Sequence, residues 1–215
     1  MTLHDSSATT ESFLIVGEAV VDEVRTLDGT VTAHPGGSPA NVALGLARLD
    51  RTVRLLTELG DDDYGRVVWD HLEASGVVVE AQPAPRTSTA RATLAADGSA
   101  SYVFDIAWTL TPDEPREDPT VGHVHTGSLA SVLAPGASAV ANLVRRHRAG
   151  ATTSYDPNVR PSLAGDHDVA VATVERLVSL SDVVKASLED MEWLSPGLDP
   201  ADVAAEWCRR GPAPR

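Results

Sequence analysis

Cysteine, lysine, aromatic residues and long apolar runs are all scarce in this 215-residue sequence. The lone Cys208 has no partner for a disulfide within the chain, which favours a reducing compartment and predicts a cytoplasmic protein. Apolar runs such as residues 13–16 are too short to cross a bilayer, and residues 1–11 lack the basic and then apolar order of a secretory signal. The sequence therefore predicts no membrane partner.

Basic residues are also few, with 17 Lys and Arg against 31 Asp and Glu and a net charge of −14. Clustered Lys and Arg supply most of a protein's affinity for a phosphate backbone, so this balance argues against a nucleic-acid partner. A small anionic ligand is still compatible with the charge, because a few backbone N–H groups can hold a phosphate inside an acidic protein.

Strand and helix patterns alternate through most of the chain, after a disordered lead-in predicted for residues 1–11. Short apolar runs predict strands over residues 13–18, 53–59, 77–81, 122–126, 152–155 and 183–185. Amphipathic patterns between them predict helices. This alternation predicts an α/β domain over residues 12–215, with helices flanking a mostly parallel sheet. In such sheets, ligands bind beyond the carboxyl ends of the strands.

Two hairpin signals interrupt the alternation. Leu27-Asp-Gly29 and Ala96-Asp-Gly98 each lie between β-like stretches. The segments 20–34 and 88–108 therefore predict a small antiparallel sheet that stands off the main body. A proline- and acid-rich connector, residues 112–119, follows it.

The stretch Pro35-Gly-Gly-Ser-Pro-Ala-Asn41 is the most informative part of the sequence. Its glycines let a ligand approach the main chain closely, and Asn41 can both donate to and accept from a sugar hydroxyl. Ser38 is the predicted N-cap of the helix that follows, with Pro39 at its first position. Taken alone, the stretch fits a plain loop before a capped helix equally well.

The motifs around this stretch occur in a specific order. Gly17-Glu-Ala-Val-Val-Asp22 is followed by Gly36-Gly37, Asn41 and Leu59-Gly-Asp-Asp-Asp-Tyr-Gly65. Further along are His125-Thr-Gly-Ser128, Tyr155-Asp-Pro-Asn-Val-Arg160 and Val183-Val-Lys-Ala-Ser187. In this order they resemble the ribokinase-like (PfkB-type) carbohydrate kinases, particularly the fructokinase branch. Each motif is weak alone, but the order is specific, and the resemblance covers the chain from Phe13 to Gly211.

The resemblance implies an ATP-dependent kinase that phosphorylates a sugar hydroxyl. It implies that Asp22 and Asn41 hydrogen-bond the sugar, that Gly36 and Gly37 form a hinge, and that Phe104 packs on the sugar. The small sheet would then act as a lid over the sugar and supply a homodimer contact.

Asp156, Asn158 and Arg160 match the family's Asp-Pro-Asn-x-Arg motif, which the resemblance places in the cleft near the phosphates and the substrate. The guanidinium group of Arg160 presents a fixed fork of donors that suits a phosphate or an anionic sugar. The alternative for Arg160 is a salt bridge with Asp156 or Asp166 that only braces the loop.

The resemblance also implies ATP and Mg²⁺ as cofactors and places Lys185, the only lysine, beside the nucleotide. Lys185 as an ordinary surface residue is the alternative. The acid that follows the Ser of this motif in the family is Leu188 here in ungapped register, so Glu189 is the predicted substitute.

The family's catalytic aspartate lies in a Gly-Ala-Gly-Asp motif, which these 215 residues lack. Ala164-Gly-Asp166 matches it only superficially and predicts a turn, with Asp168 as the N-cap of a helix over residues 169–180. The expectation is that the C-terminal third of the fold, including the base and the anion hole, is missing, and no catalytic residue is assigned. A non-catalytic sugar-binding or dimerising fragment is the alternative function.

The sugar stays open between fructose, 2-keto-3-deoxygluconate and a nucleoside. Arg91 in the lid segment would suit an acidic substrate, or it pairs with Asp97 or Asp105 at the surface. His123 and His125 share one side of a strand, but no further ligand is spaced to complete a zinc site, which favours a structural histidine pair. A dinucleotide-dependent oxidoreductase is disfavoured, because no Gly-x-Gly-x-x-Gly follows the first strand.

Overall fold

A computed structural model describes residues 12–94, 100–111 and 119–211 of the chain. The strands are β1 (Ser12–Val16), β2 (Val20–Arg25), β3 (Val31–Gly36), β4 (Val53–Gly60), β5 (Val78–Ala84), β6 (Thr89–Leu94), β7 (Ala100–Asp105), β8 (Val121–Gly127), β9 (Thr152–Asp156) and β10 (Val183–Val184). The helices are α1 (Ser38–Ala47), α2 (Asp63–Glu73), α3 (Gly136–His147), α4 (His167–Val178), α5 (Leu188–Leu194) and α6 (Pro200–Arg210), and a short 3-10 helix spans Ser128–Ser131.

Six of these strands form a sheet in the order β10-β9-β8-β1-β4-β5, and each neighbouring pair runs parallel. Helices pack on the sheet, so the predicted α/β class is confirmed. Because the strands are parallel, their carboxyl ends lie at one edge of the sheet. The loops after β1, β8 and β9 therefore open toward the same region.

The apolar side chains form two clusters. One joins β1 and β4 to α1 and α2 and includes the fully buried Ile15, Leu55 and Val68. The other joins β1 and β8 to α3, α4 and α6 and includes Leu143 and Leu177. Burial on both sides gives a rigid platform at the carboxyl ends of the strands.

The other four strands form a small sheet in the order β3-β2-β6-β7, called the lid sheet below. Each hairpin is antiparallel, but the central strands β2 and β6 pair in parallel, so the prediction of a wholly antiparallel sheet is wrong. The reason is topological: β2 follows β1 and β6 follows β5, and both strands therefore leave the carboxyl edge of the large sheet in the same direction. The predicted turn at Ala96-Asp-Gly98 and most of the connector over residues 112–119 lie outside the described residues.

Two helix starts differ from the predictions. The N-cap of α1 is Gly37, with φ of 102°, so helical geometry already begins at Ser38. The N-cap of α4 is Asp166, whose carboxylate accepts a hydrogen bond from the Val169 amide, while Asp168 lies in the first turn. In both cases the residue that takes the extended or turned conformation lies one or two positions earlier than the predicted cap.

Within the described ranges, no helix combines the length and the apolar character that crossing a membrane requires.

Candidate functional site

A cavity of about 470 Å³ lies between the carboxyl edge of the large sheet and the lid sheet. Its lining includes six of the residues singled out in the sequence: Asp22, Gly37, Asn41, Phe104, Asn158 and Arg160. These residues come from β2, the start of α1, β7 and the loop after β9. The fold therefore brings together residues that are far apart in the chain.

One row of the lid sheet faces this cavity. Asp22 of β2 is in register with Ala90 of β6, which is in register with Phe104 of β7, and all three line the cavity. Side chains alternate between the faces of a strand, so the neighbouring residues Glu23 and Arg91 belong to the opposite face. The lid sheet thus presents one carboxylate and one aromatic ring to the cavity.

Asp22 is the carboxylate of this row, and its environment raises its pKa. Burial in the cavity has the largest effect, and the charges of His34 and Arg160 partly oppose it. Gly36 lies directly against the carboxylate, since a Cβ at that position would stand 2.2 Å from Asp22 Oδ2. Gly36 is absent from the cavity lining itself, but it leaves the space that the Asp22 side chain occupies.

Gly37 and Asn41 form the part of the site at the start of α1. A Cβ on Gly37 would stand 2.5 Å from the carbonyl oxygen of Glu18, so the β3–α1 junction passes close to the end of β1. The Asn41 main-chain amide donates to the Gly37 carbonyl oxygen at 2.9 Å. Asn41 therefore lies one turn into the helix, and it lines the cavity.

The loop after β9 supplies the opposite wall. Asn158 has φ of 37°, in the left-handed region, and its main-chain amide donates to Asp156 Oδ1 at 3.2 Å. Arg160 Nη1 donates to the main-chain oxygens of Asn158 and Val159 and to Asn158 Oδ1 at 2.9 Å. The guanidinium is therefore held by its own loop at the edge of the cavity.

Asp156 and Lys185 are brought together, although sequence reasoning assigned them to different ligands. Lys185 Nζ donates to Asp156 Oδ2 at 3.0 Å, with the Lys185 side chain 68% exposed. Asp156 is not part of the cavity lining. It contacts the site through the hydrogen bond that its carboxylate accepts from the Asn158 main-chain amide.

Glu189 is placed away from this group, in an open groove beside His167, Trp193 and Pro196. The acid that reaches the loop after β9 is its neighbour Asp190, which is buried and accepts from the Val159 amide at 2.6 Å. Asp190 also forms a capping box with Ser187 at the start of α5. The Ser187-x-x-Asp190 spacing is a capping-box signal in the sequence, but its contact with the distant loop is not visible there.

Glu18 is a cavity residue that sequence reasoning did not assign. Glu18 is 4% exposed, and Oε2 accepts from the Ala130 amide at 3.0 Å. Burial raises the pKa of Glu18 to about 7, although the polar Ser128 side chain and nearby amides partly oppose this shift. A carboxylate directly after an apolar strand was the signal that could have identified it.

Ser128 ends the His125-Thr-Gly-Ser128 motif, for which the sequence predicted no role, and it also lines the cavity. It has φ of 54° and begins the 3-10 helix after β8. Its hydroxyl accepts a hydrogen bond from Asn158 Nδ2 at 3.4 Å. Ser128 therefore connects the loop after β8 with the loop after β9.

Arg91 does not face the cavity. Its guanidinium pairs with Glu23 on the other face of the lid sheet, and Glu23 also accepts a hydrogen bond from the Tyr64 hydroxyl of α2. Asp105, one of the predicted partners of Arg91, pairs with Arg86 instead. The structure thus removes Arg91 as a reason to expect an acidic substrate.

His123 and His125 contact hydroxyl groups. Both rings lie within hydrogen-bond distance of Ser154 Oγ, at 2.7 and 2.9 Å, and burial lowers the pKa of His125 to about 4. Across the described part of the chain, no three side chains of His, Cys, Asp or Glu are grouped so that they could hold a metal ion.

Comparison with known proteins finds relatives that are similar to this chain in sequence and in structure. The fructokinase of Vibrio alginolyticus is 31% identical over 191 residues, which cover 84% of this chain and 62% of that enzyme. A fructokinase from Xylella fastidiosa solved with bound ATP superposes with a TM-score of 0.78 at 27% identity, covering 94% of this chain and 66% of that one. A fructokinase from Vibrio cholerae O395 with fructose, ADP and calcium gives 0.80 at 27% identity, covering 94% and 68%.

The chain thus spans less than two thirds of the length of the curated relative. The family model for pfkB family carbohydrate kinases matches residues 6–209, which is nearly the whole chain. The match to this model agrees with the order of the motifs and with the parallel sheet and its lid sheet, and all of them indicate the same family. The chain belongs to the PfkB family of carbohydrate kinases.

Proposed function

We propose that this chain forms the sugar-binding part of a cytoplasmic, ATP-dependent kinase of the fructokinase type. The observation that carries the proposal is that Asp22, Asn41, Arg160 and Phe104 line one cavity. The fructokinase from Vibrio cholerae, which shares this fold, was solved with fructose and ADP, and this supports fructose as the first sugar to test.

The chemistry of the cavity suits a neutral sugar. The Asp22 carboxylate accepts hydrogen bonds from hydroxyl groups, Arg160 donates to them, and Asn41 can do both. The Phe104 ring offers an apolar surface to the C–H face of a sugar. Two carboxyl groups, Glu18 and Asp22, share the lining with one guanidinium, so the cavity holds no excess of positive charge for an acidic substrate.

We propose that Lys185 lies beside the nucleotide, because it stands just after β10 with its side chain exposed, whereas Glu189 lies in the separate groove. The residues that the structure describes do not group three acidic or histidine ligands for Mg²⁺, so they do not form a metal site by themselves and no transfer step is derived through the ion. We propose that the 215 residues bind sugar without supplying the base for phosphoryl transfer.

The lid sheet is the proposed contact with a second copy of the chain. It exposes Val31 and Val103, which are 45% and 62% accessible. Both valines lie on edge strands of the lid sheet, β3 and β7, and an exposed edge strand offers backbone groups for pairing with another chain.

Isothermal titration calorimetry of the full chain tests the sugar site. Fructose should release or absorb heat with the wild type, and Asp22→Asn should weaken its affinity by about tenfold, because a charged hydrogen-bond acceptor is lost. Asp28→Asn, on the exposed turn of the same hairpin, removes the same charge away from the cavity and should leave affinity unchanged. Absence of binding by fructose and by a panel of other ketoses and aldoses would contradict the sugar site.

A second titration with Mg–ATP, together with a coupled ADP-release assay, tests the catalytic part of the proposal. The chain should bind fructose without tight binding of Mg–ATP and without turnover. Tight binding of Mg–ATP with ADP release dependent on sugar would instead show that these 215 residues form a complete kinase.

A further inference from the structure

Two non-glycine residues of the cavity have backbone angles in the left-handed region. Ser128 has φ of 54° and Asn158 has φ of 37°, and they follow the adjacent strands β8 and β9. Such conformations persist only where the surroundings fix them, and they concentrate at functional sites. Contacts within the cavity wall therefore fix this pair.

Ser128 lies in a 3-10 helix that Glu18 contacts. Glu18 Oε2 accepts from the Ala130 amide at 3.0 Å, and the Ser131 hydroxyl donates to the Ser128 carbonyl oxygen at 2.6 Å. The carboxyl group therefore anchors the 3-10 helix over Ser128–Ser131 at a main-chain donor.

The contacts continue from Ser128 to the opposite wall. Asn158 Nδ2 donates to Ser128 Oγ at 3.4 Å, and Asn158 Oδ1 accepts from Arg160 Nη1 at 2.9 Å. The Asn158 side-chain amide thus donates to Ser128 and accepts from Arg160. These hydrogen bonds connect the 3-10 helix that Glu18 anchors with the guanidinium group across the cavity wall.

We infer that Glu18 is a positioning residue of the sugar site, which holds the 3-10 helix at the Ala130 amide and, through Ser128 and Asn158, sets the Arg160 guanidinium at the cavity. The inference rests on the proposed function for its effect on sugar affinity, but the positioning itself is a property of the free protein. Glu18 belongs to the cavity lining and works by holding the groups that surround the ligand.

Glu18 and Glu58 are both buried acids, but they contact different parts of the molecule. A buried carboxyl group loses its hydration, and an apolar residue of similar size avoids that loss. Glu58 shows what a structural buried glutamate does in this molecule. It is 7% exposed and accepts from the Thr109 amide at 2.8 Å and from the Thr109 hydroxyl at 2.7 Å, away from the cavity lining.

The two glutamates make a matched pair for an experiment on the full chain. Glu18→Gln, Glu18→Ala and Glu58→Gln are compared by ¹H–¹⁵N spectra, by calorimetric fructose affinity and by urea unfolding. Glutamine keeps the size of the side chain, but it replaces one carboxyl oxygen with an NH₂ group, which donates and cannot accept a hydrogen bond. The stability measurement shows how much each variant loses irrespective of the sugar.

Glu18→Gln should shift the Asn158 side-chain amide resonance as well as the Ala130 amide, and should weaken fructose binding by about tenfold. Glu58→Gln should lower stability while leaving that resonance and the fructose affinity unchanged. If Glu18→Ala does not fold, Glu18→Gln still gives both readouts.

An unchanged Asn158 side-chain resonance in a folded Glu18→Gln variant would overturn the inference, and so would unchanged fructose affinity in a wild type that binds fructose. If the wild type binds no sugar, the proposed function fails, but the spectra still decide whether Glu18 positions Asn158. The two failures are therefore distinguishable.

Discussion

Gly37 shows how closely the main chain passes beside the cavity. Its φ of 102° is a conformation that residues with a Cβ rarely adopt, and the Glu18 carbonyl oxygen fills the space where a Cβ would stand. Both the angle and the close approach require glycine here. The contact also fixes the start of α1, and with it Asn41, against the end of β1.

Gly37→Ala is expected to destabilise the protein by roughly 2–4 kcal/mol, because it adds a steric clash to the strain of a positive φ. Gly29→Ala is the control, since Gly29 has φ of 85° in the β2–β3 turn with open space around it. That variant carries the strain alone and should lose about 1 kcal/mol. Urea unfolding measures both, and equal losses would contradict the role assigned to the Glu18 contact.

Residue identity at the site was only partly predictable from the sequence. Asp22, Asn41, Asn158 and Arg160 stand in motifs whose order resembles the PfkB carbohydrate kinases, and the fold places them around one cavity. Glu18 and Asp190 were not assigned, because their contacts with Ala130 and Val159 join segments that are distant in the sequence. The fold determines whether a carboxylate is buried and which group it hydrogen-bonds. The position of a carboxylate in the sequence indicates neither.

At the scale of elements, the N-terminus of α2 connects the lid sheet to the large sheet. Asp62 caps α2 through the Gly65 amide at 2.8 Å, and its other oxygen accepts from the Thr87 amide at 2.7 Å, just before β6. The Thr87 hydroxyl donates to the same carboxylate at 2.8 Å and accepts from the Gly60 amide at the end of β4. One carboxylate thus ties a helix to the base of the lid sheet.

Asp62→Ala should destabilise the protein by about 2–3 kcal/mol, because it removes a helix cap and also leaves the Thr87 donors without their acceptor. Asp199→Ala is the matched control, since Asp199 caps α6 through the Ala201 amide at an exposed position. It should lose about 1 kcal/mol. Chemical unfolding compares the two, and a similar loss for both would show that the Thr87 contacts add nothing.

The elements themselves were more predictable than their pairing. The turn signals at Leu27-Asp-Gly29 and the alternation of apolar residues indicate strands, and the strands of both hairpins are present. The parallel pairing of β2 with β6 depends on where β1 and β5 end in the large sheet, and a local pattern contains no such information. The same holds for the N-cap of α1, which the close approach of Gly37 to Glu18 fixes.

At the scale of the whole molecule, the parallel sheet collects the ends of β1, β8 and β9 beneath the lid sheet, and a buried acid lies at their junction. Burial raises the pKa of Glu18 to about 7, above its ordinary value of 4.5. The folded protein therefore keeps a proton at this site that the unfolded chain releases between those two values. The associated stabilisation is fully present below about pH 4.5 and declines as the pH rises through 7.

The free energy of unfolding of the wild type, relative to Glu18→Gln, should therefore fall by about 2–3 kcal/mol between pH 5 and pH 8. Groups that titrate in both proteins, such as Asp22 and His125, cancel in this difference. Urea unfolding at several pH values gives the measurement. A difference that stays constant with pH would contradict the buried, proton-holding state of Glu18.

The cavity between the lid sheet and the carboxyl edge of the large sheet is the centre of the proposed function. The most direct test is a crystal structure of the full chain grown with fructose. The sugar should lie in this cavity with its hydroxyl groups within hydrogen-bond distance of Asp22 and Asn41, and with one face against Phe104. Fructose bound elsewhere, or an empty cavity at saturating fructose, would contradict the assignment of this cavity as the sugar site.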